Sequence, residues 1–80
     1  MNPEVDLRGM DSVEAICVMD RYLDEAMRSN LKQVRIIHGK GTGVLRKAVH
    51  ESLKRNKYVK KYRLGVYGEG EDGVTIAEFD

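Results

Sequence analysis

The chain has one cysteine, one proline, one phenylalanine and no tryptophan among its 80 residues, and no long apolar run. Cys17 alone can form neither an internal disulfide nor a cysteine-rich zinc site, so packing must hold the fold and a reducing, cytoplasmic setting is the default expectation. A bilayer-crossing helix needs roughly 20 apolar residues, and the opening Met1-Asn2-Pro3-Glu4-Val5 lacks the basic and apolar regions of a signal peptide. No membrane role is expected. Linkers, low-complexity tracts and repeats are missing too, so residues 1–80 read as one compact domain.

What is present suffices for a small core. Hydrophobic residues make up 41% of the chain, more than a disordered segment carries. A domain this short buries only roughly 60% of the surface of its unfolded chain, so its site is expected to be an open surface. The net charge of +1 conceals a segregation by region. Met1 to Asn30 carries three basic and seven acidic residues, Leu31 to Val66 eleven basic and one acidic, and from Tyr67 onward there are five acidic residues and no basic one. Gathered on one side, such a basic block attracts polyanions through phosphate contacts and counterion release. With the acidic ends folded back onto it, the block is only a solvated surface.

Val5-Asp6-Leu7-Arg8 alternates apolar and charged residues and stops at Gly9, the pattern of a short strand with Asp6 and Arg8 on its polar face. Asp11 or Ser12 caps a helix whose apolar stripe is Ala15, Met19, Leu23, Ala26 and Met27, and Asn30 suits a left-handed terminator. Cys17 and the methionines read as core of that helix. Val34-Arg35-Ile36-Ile37-His38 is a β-branched second strand running into glycines. Thr42 or Gly43 opens a second helix with Leu45, Val49 and Leu53 inward and His50 on its surface. Tyr58 to Tyr67 alternates as a long third strand with a basic face, Gly68 to Gly73 turns, and Val74 to Phe79 returns antiparallel. The order βαβαββ predicts a two-layer α/β sandwich, a small mixed four-stranded sheet with both helices on one face. Parallel first and second strands end at the edge where open α/β sheets bind ligands, which brings Asp6, Arg8, His38 and Lys40 together.

Asp6-Leu7-Arg8-Gly9-Met10, then Val34 to Arg46 with His38-Gly39-Lys40-Gly41-Thr42-Gly43 at its centre, then Gly73-Val74-Thr75-Ile76 resemble in order and spacing the Smr (small MutS-related) domain family. The Asp6-Leu7-Arg8-Gly9 form resembles that at the C-terminus of bacterial MutS type 2 proteins, and the resemblance covers nearly the whole chain. It implies a fold similar to the C-terminal domain of translation initiation factor three, and a monomeric domain excised from the C-terminus of a larger, dimeric parent. It also implies nucleic-acid binding, with DNA- or RNA-nicking endonuclease activity. The alternative it implies is a non-catalytic module that positions the parent on branched DNA or on stalled ribosomes. The family's ATPase is a separate part of the parent, so no nucleotide is expected here. Val5 departs from the usual leucine, and Glu71 stands where a second glycine is frequent.

The residues themselves support specific chemistry. Gly39-Lys40-Gly41-Thr42-Gly43 lets backbone N–H groups converge before a helix N-terminus, which suits a phosphate; a tight turn needing only glycine geometry is the alternative. It lacks the spacing of a Walker A loop or a dinucleotide fingerprint. His38 could act as general base or acid, or merely hydrogen-bond a phosphate. Asp6 could hold Mg2+ or Mn2+ or orient His38, Arg8 could neutralise charge on the phosphorane, and an Asp6–Arg8 ion pair is the simpler reading. Lys40 and Arg46 flank the loop. Lys47, Lys54, Arg55, Lys57, Lys60, Lys61 and Arg63 would grip the strand, with Tyr58 or Tyr62 available to stack on a base.

Overall fold

The β-branched stretch read as the second strand takes a central place in the sheet. A computed structural model describes residues 1–80, with β1 (Glu4–Asp6), α1 (Ser12–Arg28), β2 (Gln33–Ile37), α2 (Val44–Arg55), β3 (Val59–Leu64) and β4 (Val74–Phe79), and a short 3-10 turn at Glu71–Gly73. The sheet order is β1-β2-β4-β3. β1 and β2 are parallel, while β4 runs antiparallel to both of its neighbours. This is the mixed βαβαββ arrangement expected from the sequence. No helix is long and apolar enough to cross a membrane.

The two-residue period of a strand divides the sheet into two faces. Val34 and Ile36 of β2 pair with Ala77 and Thr75 of β4 on one face, and Arg35 and Ile37 pair with Ile76 and Val74 on the other. Ala15, Met19, Leu23 and Ala26 of α1, and Val49 and Leu53 of α2, join Leu7, Val34, Ile36, Ala77 and Phe79 in one buried cluster. Both helices thus cover the same face. The Asp11 carboxylate accepts the Glu14 N–H at 2.9 Å and starts α1. Asn30, at φ 62, ends the following turn in the left-handed region.

Two expectations are corrected. The third strand runs only from Val59 to Leu64, and a bulge sets Lys60 and Lys61 against Glu78, so that Val59 and Tyr62 both face the core. An unbroken alternation from Tyr58 would have put them on opposite faces. Cys17 is exposed rather than core, lying between the α1 positions that face inward.

The hairpin between β3 and β4 folds back over the helix-free face. Gly70 sits so close to Val74 that a side chain there would overlap it, and Val74 and Ile76 are both buried on this face. Glu71 takes φ 51, the left-handed backbone region that glycine enters freely.

Ile36 is fully buried in the core, whereas its neighbour Ile37 is only partly buried on the other face. Ile36→Ala is expected to lose about 3 to 4 kcal/mol in urea unfolding and Ile37→Ala about 1 to 2. Equal losses would contradict this division of the sheet.

Candidate functional site

Parallel pairing delivers β1 and β2 to one edge, where the Leu7 N–H donates to the Ile37 carbonyl at 2.8 Å. Just beyond, Arg8 grips Asp6 through Nε at 3.0 Å and Nη2 at 2.8 Å, and the Arg8 backbone N–H donates to the same carboxylate at 3.0 Å. These bonds hold the Asp6 carboxyl at a pKa of about 2. Arg8 also lies along Gly39, its Cγ 3.3 Å from where a side chain on Gly39 would begin. With Gly39 at φ 82, a larger residue there would meet both backbone strain and the arginine stem.

Asp6 pairs with Ile37 and shares its helix-free face, so the next residue, His38, points to the opposite side. The pairing of Asp6 with His38 considered from the sequence is therefore not made. His38 is moreover buried, only 5% exposed, which a free acid or base would not be. Its Nδ1 lies 2.9 Å from the Gly39 carbonyl and its Nε2 2.8 Å from Thr75 Oγ1. His50, expected on the helix surface, instead reaches the same hydroxyl with Nε2 at 2.7 Å.

Proton accounting fixes the neutral arrangement. A carbonyl can only accept, so His38 carries its proton on Nδ1 and donates to Gly39. Its bare Nε2 then accepts from Thr75 Oγ1–H, whose oxygen in turn accepts from His50 Nε2–H. The three side chains join α2, β4 and the start of the glycine loop. Burial lowers the pKa of both histidines, with Arg46 nearby and, for His50, His38 itself acting in the same direction. The signal for His50 was available: Thr75 falls within a strand too apolar to leave a hydroxyl unpartnered.

The loop itself is tied down from beneath, since the Gly73 carbonyl accepts from His38 N–H at 3.1 Å and Gly39 N–H at 2.9 Å. Above this anchor, the N–H groups of Lys40, Gly41, Thr42, Gly43, Leu45 and Arg46 donate to no group in the chain. Gly43 caps α2 at φ 87 in the left-handed region, and the loop residues His38 to Arg46 line a cleft of about 420 Å³ together with Met10 to Ser12. Unpaired amides with the positive end of a helix dipole are an arrangement that can receive an anion. Lys40 and Arg46 stand at its rim, where Asp72 holds them loosely at 3.5 and 4.0 Å.

Not every expected residue joins them. Lys54 and Arg55 occupy the last turn of α2, the end remote from the loop, and Lys60 and Lys61 open β3 beside the end of β4. Lys61 pairs with Glu78 at 3.6 Å and Arg63 with Glu69 at 2.7 Å. Lys47 follows Arg46 on the first turn of α2 and is exposed. The basic block is thus split between two ends of the molecule, and acidic tail residues neutralise part of it. Tyr62 packs on His50, ring centroids 5.1 Å apart, and Tyr58 lies at the remote end. A metal centre is not formed by these donors: nowhere do three His, Cys, Asp or Glu side chains converge, and Arg8 occupies both oxygens of Asp6.

A family model described as the Smr domain matches residues 5–80. The chain belongs to the Smr domain family. It is 61% identical over 75 residues to Endonuclease MutS2 of Clostridium tetani, covering 94% of this chain and 10% of that protein. It is 62% identical over 74 residues to Endonuclease MutS2 of Clostridium beijerinckii, covering 92% and 9%. The chain therefore spans about a tenth of the length of these relatives. The crystal structure of the Smr domain of Thermus thermophilus MutS2 superposes with a TM-score of 0.94 at 44% identity, covering 96% of each chain. YdaL, a stand-alone small MutS-related protein from Escherichia coli, shares the fold with a TM-score of 0.91 at 22% identity, covering 96% of this chain and 63% of its own.

The paired histidines carry a pH signature. With folded pKa values below 6.5, they bind fewer protons folded than unfolded, so stability is complete above that value and falls as pH drops through the window toward the folded pKa. Urea unfolding at about pH 7.5 and about pH 5.5 should show this loss, reduced in His38→Gln. A slope unchanged by that substitution would remove the histidines as its source.

Proposed function

We propose that this Smr domain binds nucleic acid by seating a backbone phosphate on the Gly39 to Gly43 loop, and nicks the strand held there. The observation that carries the reading is the set of unpaired amides at the N-terminus of α2, with Lys40 and Arg46 beside them. Phosphates would take both cations from Asp72, a weak exchange because exposed ion pairs contribute at most about 1 kcal/mol. Names of relatives that include an endonuclease support the second half.

Hydrolysis adds water at phosphorus and expels one ester oxygen, which leaves with a proton. Lys40, Arg8 and the loop amides are the groups that offset the charge growing on the phosphorane oxygens. Asp6 holds Arg8 in place. His38, with both nitrogens engaged, acts by positioning the loop rather than as a free base. Mg2+ or Mn2+ would accompany the substrate phosphates, since the protein donors do not form a centre for it.

The same shortage of a free base favours a second reading, a non-catalytic module that places a longer protein on branched or nicked DNA, on RNA, or on the ribosome. Supercoiled plasmid and structured RNA, incubated with the chain in Mg2+ or Mn2+, separate the two. Nicked products are expected from the wild type. Lys40→Ala should lower the rate at least about tenfold and reduce the salt slope of binding by about 1. Intact substrates at concentrations that bind would discard cleavage and leave the module; no salt-sensitive binding would discard both.

A further inference from the structure

Tyr67 is 94% exposed, the barest of the large hydrophobic side chains, and it stands on a closely hydrogen-bonded turn. The Val66 carbonyl accepts from Glu69 N–H at 2.9 Å and from Glu71 N–H at 3.4 Å, and the Glu69 carboxylate accepts the Val66 N–H at 2.9 Å. Arg63 then clamps both oxygens of that carboxylate at 2.7 and 3.1 Å. Gly68 at φ 90 supplies the left-handed third position that a type II turn requires, leaving Tyr67 at its apex. None of this burial or bonding includes the ring. A braced turn that displays a rigid aromatic to water gains nothing for the fold from that ring.

We infer that Tyr67 is a stacking platform for an unpaired base of the strand whose phosphate occupies the glycine loop, an inference that rests on the nucleic-acid reading above. Position supports it: the hairpin carrying Tyr67 leads through Asp72 to Lys40 and Arg46, and through Gly73 to the loop backbone. The ring and the anion site therefore share one end of the sheet. A base offers a flat apolar face beside a charged backbone, the combination that an exposed aromatic at the same end of the sheet as a phosphate-binding loop recognises. The neighbouring exposed apolar residues are only Leu64 and Val66, a patch smaller than a protein partner ordinarily covers. The other three tyrosines are placed differently: Tyr62 lies on His50, Tyr22 donates its hydroxyl to the Asn2 carbonyl at 2.7 Å, and Tyr58, half exposed with the Lys57 ammonium 5.3 Å from its ring centroid, lies at the remote end of the sheet.

The test is fluorescence anisotropy of the 80-residue chain with a labelled single-stranded oligonucleotide of mixed sequence, as DNA and as RNA, over a salt series. Tyr67→Ala should weaken binding about tenfold, Tyr67→Phe should restore most of it, and the salt slope should stay at the wild-type value because no phosphate contact is lost. With an abasic oligonucleotide of the same length, wild type and Tyr67→Ala should bind alike. Unchanged affinity of Tyr67→Ala for the normal oligonucleotide, with Lys40→Ala still impaired, overturns the stacking role while the phosphate site stands. Failure of the wild type to bind either strand overturns both. Amide spectra of each variant establish that the fold is retained.

Discussion

One hydroxyl sits where the structure is most constrained. Thr75 Oγ1 lies within hydrogen-bond distance of His38 and of His50, and it has a single proton to give. Because His38 must donate to the Gly39 carbonyl, that proton goes to His38, and His50 supplies the complementary one. A buried chain of this kind is costly if any member is left unpaired, about 1 to 3 kcal/mol for each group. It therefore holds α2, β4 and the first residue of the glycine loop in one relative position.

The arrangement of the free loop amides follows from that fixation. The loop is anchored from below by the Gly73 carbonyl and from within by His38, so its upper amides have no protein partner to turn toward. An anion site needs amides that are already aligned, because reorienting them on binding would cost part of the affinity. The role of His38 changes accordingly. In the sequence it reads equally as a general acid or base and as a phosphate hydrogen-bond partner, whereas in the fold both of its ring nitrogens are engaged within the protein.

Much of this was readable from local patterns. Strand alternation around Val34 to Ile37, the Asp11 cap and the glycine loop before a helix all express short-range rules, and they are where the structure agrees. What escaped depends on residues that meet only after folding. Nothing near Lys60 announces the bulge that brings Val59 and Tyr62 to one face, and the fate of His50 depends on Thr75, 25 positions away. The basic block misled for a related reason. Charges adjacent in the chain were dispersed because α2 carries Arg46 and Arg55 to opposite ends of the molecule, and the acidic hairpin folded back onto some of the rest.

The buried Thr75 chain is expected to aim the loop amides at a phosphate. Two-dimensional amide spectra of the wild type and of Thr75→Val, titrated with a short oligonucleotide at low salt, address it most directly. The wild type should show saturating shifts at Gly41, Thr42, Gly43, Leu45 and Arg46, and Thr75→Val, still folded, should need about tenfold more ligand for the same shifts. Shifts confined to Lys54 through Lys61, or identical titrations in the two proteins, would contradict it.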